Sequence, residues 1–327
     1  MARLTMVQAI KLALCEEMAR DRDVVVLGQD VAVNGGVFRV TEGLLEEFGK
    51  DRVLDTPLAE SGIVGASIGM AIYGLKPVCE MQFSGFSYQA FHQLEQHACR
   101  LRNRTRGRYH CPIVVRMPYG GGVRALEHHS ESREVYFAHT PGLKMVIPST
   151  PGKARTLLIS AIRDPDPVIF FEPKAAYRAF REEVDEENEE IFPIGRAEVI
   201  REGKDLTMIS YGAMMRPTLE AANVLREEDG VSTEVVDLLT ISPMDEETIL
   251  ESVKKTGRAI VIHEAPRNCS VSAEVIARLV EKAFLYLEAP VRRVTGFDVH
   301  MPLFSREDFY LPNKERILLA ARETLTF

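Results

Sequence analysis

The sequence is short of cysteine and has none in a recognisable pattern. Cys15, Cys79, Cys99, Cys111 and Cys269 are scattered over 327 residues with no Cys-x-x-Cys pair. An odd, unpatterned set argues against a disulfide frame and against a zinc site of the usual spacing. It reads as small buried thiols in a reducing, cytoplasmic setting. Positive charge is also in deficit. The chain has 40 Lys and Arg against 48 Asp and Glu, a net charge of −8, so no basic field draws nucleic acid to it. No apolar run approaches the ~18 residues a membrane span needs, and no membrane contact is expected. Met1-Ala2-Arg3-Leu4-Thr5 runs straight into an amphipathic pattern, without the cationic-then-apolar order of a secretory signal. No strand-like run is followed by Gly-x-Gly-x-x-Gly, which speaks against a nicotinamide dehydrogenase.

The chain does have enough apolar material for two cores, with 46% of its residues hydrophobic. Thr5 followed by Gln8 reads as a capping box opening the first helix. Short β-branched runs then alternate with helical periodicity. Strands are expected at 24–28, 77–83, 113–117, 144–147 and 168–171, and helices at 37–48, 62–73, 88–104 and 152–163. This alternation predicts an α/β domain with a mostly parallel sheet between helices. Seven of the ten residues 181–190 are acidic, and such a run reads as a solvated connection. A second α/β series follows, with strands at 206–211, 233–239, 259–263 and 291–294 and a last helix near 314–324. The expected organisation is a larger domain over 1–185, an acidic linker over 186–195 and a smaller α/β domain over 196–327.

Three segments carry chemistry. In Thr56-Pro57-Leu58-Ala59-Glu60-Ser61-Gly62-Ile63-Val64-Gly65, Pro57 imposes an extended approach. Gly62, Gly65, Ala66 and Gly69 then line one side of a helix with small residues, so another backbone can come close. Glu60 is expected just ahead of the helical body. It is either solvated, capping the helix, or matched to a specific partner. Glu80-Met81-Gln82-Phe83-Ser84-Gly85-Phe86 lies where a parallel strand meets the next helix, the ligand-binding end of an open sheet. Its aromatics fit a core equally well. Gly120-Gly121-Gly122-Val123-Arg124 matches no phosphate-binding fingerprint. It leads to Glu127-His128-His129-Ser130-Glu131-Ser132, where a polar loop holds two residues able to change charge near neutral pH. Adjacent histidines rarely face one metal ion, so a metal site is disfavoured there.

Glu-x-Gly-Φ-x-x-Gly at Glu60, Gly62, Ile63 and Gly65 resembles the pyrimidine-side motif of thiamine-diphosphate enzymes. His129-Ser130-Glu131-Ser132 through Thr140-Pro141-Gly142-Leu143-Lys144 resembles the β subunits of the E1 component of 2-oxo acid dehydrogenase complexes. The likeness runs over nearly the whole chain. It implies a pyrimidine-binding domain followed by a transketolase C-terminal-like domain. The implied activity is thiamine-diphosphate-dependent oxidative decarboxylation of a 2-oxo acid with acyl transfer to a lipoyl group on E2.

In such a subunit Glu60 would hydrogen-bond N1′ of the aminopyrimidine. Leu58, Gln82 and Phe86 would line its wall, and His129 would act on the reacting intermediate or the incoming lipoyl group. Gln29 stands where related chains carry Glu, which keeps the hydrogen-bonding reach and removes a charge. The resemblance also implies a potassium ion near Ile113, Ala161, Ile162, Asp164 and Asp166. Physically this stretch reads equally as an ordinary helix stop. No Gly-Asp-Gly motif for a Mg²⁺-bound diphosphate is present in the sequence. That half of the site is therefore expected from an E1 α subunit in an α2β2 heterotetramer. The second domain is expected to assist assembly and to dock the subunit-binding domain of E2. Pyruvate, a branched-chain 2-oxo acid and acetoin stay open as substrates. A transketolase-like or deoxyxylulose-phosphate-synthase-like half is the competing enzyme, and a non-catalytic assembly subunit the competing class.

Overall fold

A computed structural model of the chain describes residues 1–186 and 191–327. Glu187, Glu189 and Glu190 of the acidic run therefore lie outside the described residues. The chain divides into two compact units. One comprises Met1–Tyr119 and Tyr136–Ile194, the other Gly120–Val135 and Gly195–Phe327.

The first unit is built on parallel strands in the order Lys144–Val146, Val168–Pro173, Val114–Tyr119, Lys76–Glu80, Val24–Gly28 and Val53–Asp55. Val24–Gly28 and Val114–Tyr119 are buried along their whole length, as a sheet covered on both faces requires. The capping box forms. Gln8 N donates to Thr5 Oγ1 at 3.4 Å and Thr5 N to Gln8 Oε1 at 3.0 Å, opening the helix Met6–Arg20.

Three expectations are corrected. The helix anticipated at 37–48 is only Leu44–Phe48, because Arg39 (φ 63°) and Gly43 (φ 87°) take left-handed backbone that stops it propagating further toward the N-terminus. The helix anticipated at 88–104 is broken into Tyr88–Gln93, a π-turn at Leu94–Ala98 and Leu101–Arg104. The acidic run is not all solvated connection. Glu182–Val184 is a strand paired antiparallel with Ala2–Leu4, and Glu182 Oε2 accepts from Gly152 N at 2.7 Å. That places a carboxylate at the N-terminus of the helix Pro151–Arg163, where the helix dipole favours it.

The second unit has a five-stranded sheet in the order Arg292–Val294, Ala259–Ile262, Leu206–Ser210, Thr233–Asp237 and Glu198–Arg201. The last strand is antiparallel and was not foreseen. Leu206, Met208, Ile260 and Ile262 pack there against Leu225, Ile317 and Ala321 from the helices Met215–Glu228 and Lys314–Leu325. By its contacts the segment 120–135 groups with this unit. Among the described residues no helix is long and apolar enough to cross a membrane.

Candidate active site

Three neighbouring parallel strands of the first unit end at one edge of the sheet, and their C-terminal loops carry five of the expected site residues. Val24–Gly28 runs into Gln29, Val53–Asp55 into Leu58 and Glu60, and Lys76–Glu80 into Gln82 and Phe86. The loops are bound together. Thr56 N donates to Gly28 O at 3.0 Å, and the amides of Ala32 and Val33 donate to Asp55 at 2.7 and 3.2 Å. Gln82 Nε2 donates to Asp30 Oδ2 at 3.2 Å. The Phe86 ring packs edge-on to Phe83 at 5.6 Å, and Phe83 meets Phe38 in the same way at 5.5 Å. Gln29, Gln82 and Phe86 are half-buried, while Leu58 is 67% exposed.

Glu60 is the first residue of the helix Glu60–Ile72, not a residue ahead of it. Its side chain is buried at 6% exposure, and Oε2 has no hydrogen-bond partner among the described residues. A buried carboxylate oxygen left unmatched carries a desolvation cost that folding does not recover. The small-residue face that follows is also unfilled. Among the described residues, a Cβ placed on Gly69 would meet nothing within 4 Å, and one on Gly65 only the Gln93 side chain at 3.8 Å.

Beneath this edge lies a buried charged group. Arg116 is buried on its strand. It donates through Nε and Nη2 to Glu172 at 2.7 and 3.1 Å and through Nη1 to Glu80 at 2.8 Å. Tyr177 Oη donates to the same Glu172 carboxylate. Burial lowers and the two carboxylates raise the Arg116 pKa, and the net result is upward. Burial pushes Glu80 up although Arg116 pulls it down. The signal was present in the sequence as charged residues interrupting the apolar runs of Val114–Tyr119 and Val168–Pro173.

His129 is half-buried and closes the turn Glu127–His129, with its ring 4.1 Å from that of His128. It lies in the second unit, on the loop that Gly120 begins. Glu264 Oε2 accepts from Gly121 N at 2.7 Å, a Glu307 oxygen accepts from Gly122 N, and Gly120 N donates to Glu131 O at 3.1 Å. Glu134, at the loop's end, is fully buried, and burial with the nearby Glu264 charge pushes its carboxyl up to about 8. Its folded state thus keeps a proton that the unfolded chain releases near 4.5. The stability this supplies is complete below that pH and declines as pH rises toward 8. At ~1.4 kcal/mol per pH unit, roughly 2–3 kcal/mol is lost between pH 6 and 8. Urea unfolding of Glu134→Gln should lack that slope, and an identical pH profile for variant and parent would refute the assignment.

The residues expected around potassium gather at the other end of the sheet. Ile113 precedes the strand Val114–Tyr119, and Ala161, Ile162, Asp164 and Asp166 close the helix before Val168–Pro173. The two side-chain carboxylates are already matched. Asp164 holds Lys144 Nζ at 2.7 Å, and Asp166 holds Arg102 Nε at 2.7 Å. They do not fit as free cation ligands. Among the described residues no group of three or more His, Cys, Asp or Glu is arranged to hold a metal ion.

Comparison with known proteins agrees with this architecture. Residues 2–179 match the family "Transketolase, pyrimidine binding domain" and residues 195–317 match "Transketolase, C-terminal domain". The pyruvate dehydrogenase E1 component subunit beta of Bacillus subtilis is 51% identical over 327 residues, spanning all of both chains. That of Acholeplasma laidlawii is 51% identical over 323 residues, covering 99% of this chain and 98% of its own.

This chain belongs to the pyruvate dehydrogenase E1 β-subunit family.

A solved structure described as a split gene transketolase, inactive beta4 tetramer, superposes with a TM-score of 0.80 at 22% identity over 99% of each chain. At that identity it attests the fold alone. For this E1 β-family chain, the α/β class read from strand–helix alternation is the observed one, and the pyrimidine-binding domain followed by a transketolase C-terminal domain that the resemblance implied is matched as well.

Proposed function

We propose that this chain is the β half of a thiamine-diphosphate-dependent E1 component that decarboxylates pyruvate and passes the acyl group to a lipoyl group on E2. The observation that carries this reading is the unmatched, buried Oε2 of Glu60 at the strand-end edge of the pyrimidine-type domain. Such an oxygen fits a protonated ring nitrogen of a bound aminopyrimidine. Thiamine diphosphate, when bound, supplies the electron sink for the charge left by departing CO₂.

The chain's own residues do the rest. Glu60 accepts the hydrogen bond and fixes which ring nitrogen is protonated, setting the internal acid–base balance. Phe86 and Leu58 offer apolar surface to the ring. Gln82, oriented by Asp30, offers a polar edge beside Gln29, whose neutral amide leaves Glu60 the carboxylate among these five residues. His129 is assigned to the acyl-transfer end of the reaction.

The diphosphate and its Mg²⁺ are assigned to an α subunit, because the sequence contains no Gly-Asp-Gly motif. The open small-residue face after Glu60 suits close approach of that second chain in an α2β2 assembly. The second unit is assigned to assembly and to docking E2. A potassium ion, which the resemblance implied, would rest on backbone carbonyls among Ile113, Ala161, Ile162, Asp164 and Asp166, since the Asp164 and Asp166 side chains are committed to Lys144 and Arg102.

Pyruvate is chosen over branched-chain acids because the full-length relatives carry that substrate in their names. Discrimination between such acids amounts to ~1–3 kcal/mol per methylene-sized group. Reconstitution with the cognate Gly-Asp-Gly-containing α chain should give thiamine-dependent turnover, with the highest kcat/KM on pyruvate in a panel of 2-oxo acids. A maximum on a branched-chain acid overturns the substrate, and turnover only on ketose phosphates overturns the reaction.

A further inference from the structure

We propose that the second unit is the frame that positions the His129 loop for reaction, with Glu264 and Glu307 as its positioning residues. Its catalytic part rests on the function proposed above.

The loop follows directly from the first unit's strand Val114–Tyr119, yet its polar anchors come from elsewhere in the chain. Glu264 lies just past the buried strand Ala259–Ile262, and Glu307 opens the helix Glu307–Tyr310. Both side chains are buried, Glu264 at 3% and Glu307 at 1% exposure. Each accepts a backbone amide of the loop, from Gly121 and Gly122 respectively. The contact is flush. Gly120 has φ 78°, and a Cβ on it would lie 2.5 Å from Glu264 Oε1; one on Gly121 would lie 2.9 Å from Glu307 Oε1. The glycine run that matched no phosphate fingerprint is thus a seat for two carboxylates. Gly120 N also donates to Glu131 O, closing the loop on itself and fixing both of its ends. Arg124 meets Asp308 at 3.1 Å, but with side chains 66% and 70% exposed this pair adds little.

Fold stability does not account for these anchors. Glu307 Oε2 is buried without a hydrogen-bond partner among the described residues, so the side chain is held at a desolvation cost. A cheaper way to close a surface loop is to leave it solvated. A residue that must meet its target within a fraction of an ångström needs a rigid support, and a loop alone does not provide one. Charge-assisted hydrogen bonds from a strand end and a helix start provide it here.

The test uses the chain assembled with its α partner and the variants Glu264→Ala, Glu307→Ala and Glu307→Gln. Hydrogen exchange should show amide protection lost across 120–132 in the alanine variants, with the remaining peptides unchanged. Glutamine keeps an acceptor oxygen and should restore protection, which also covers the case of an alanine variant that does not fold. In the assembled enzyme Glu307→Ala should lower kcat by roughly ten- to hundredfold with KM little changed. The same change in a His129→Ala background should cost nothing further. Unaltered loop protection overturns the frame, and losses that add to that of His129→Ala overturn the positioning role. If the unmodified assembly shows no thiamine-dependent turnover, the proposed function fails instead, and hydrogen exchange alone decides the frame.

Discussion

Replacing Glu60 with alanine is expected to reduce thiamine-dependent turnover by about 10²- to 10⁴-fold, the range set by losing a positioned acid–base group. Stability should not fall with it. Glu60 makes no compensated contact through Oε2, and a buried oxygen without a partner costs more to fold than the alanine that replaces it. The variant should therefore unfold at the same urea concentration as its parent or at a higher one. Glu60→Gln separates charge from shape. The amide fits the same space but cannot stabilise a protonated ring nitrogen as a carboxylate does, so its turnover should stay close to that of the alanine variant. The two readouts pull apart a site residue from a packing residue. Turnover within a few-fold of the parent removes Glu60 from the chemistry. A loss of stability above ~2 kcal/mol makes it a structural residue.

Why some of this was legible in the sequence and some was not follows from the range of the interactions involved. Val24–Gly28 and the Thr5–Gln8 capping box are local, fixed by side-chain branching and by an i to i+3 hydrogen bond, and both appear as read. The placement of Gln29, Leu58, Glu60, Gln82 and Phe86 at one edge follows from parallel topology, since consecutive strands of such a sheet end on the same side. Residues 37–43 misled because their apolar spacing suits a helix, while left-handed backbone at Arg39 and Gly43 is a tertiary choice. The contacts of the loop at 120–135 were hidden for a different reason. Its hydrogen-bonding partners Glu264 and Glu307 lie 143 and 185 residues further along the chain. No local pattern announces a contact of that separation. The glycine triplet marked a special backbone without saying what it receives.

Arg116 shows the same limit, and it leads to the largest expected effect on stability. Arg116→Met should destabilise the first unit by roughly 3–5 kcal/mol, because it strands Glu80 and Glu172 side by side without their cation. Methionine fills much of the vacated volume, so the loss is mainly electrostatic and should depend on pH. Glu80 would then be favoured still more in the protonated form, since burial already pushes it up in the parent and the Arg116 charge that opposes this is gone. A raised carboxyl pKa means the folded state retains a proton that the unfolded state gives up. Its penalty is absent below the unfolded pKa near 4.5 and grows as pH rises through the shifted range. The variant should accordingly lie closer to its parent at pH 5 than at pH 8. Adding Glu80→Gln and Glu172→Gln to Arg116→Met should recover most of the loss at pH 8, since neutral amides need no counter-charge. The chain has no tryptophan, so circular dichroism is the suitable probe for the urea midpoints. A deficit in the single variant that is equal at both pH values, or smaller than ~1 kcal/mol, would show that packing and not charge keeps Arg116 in the core.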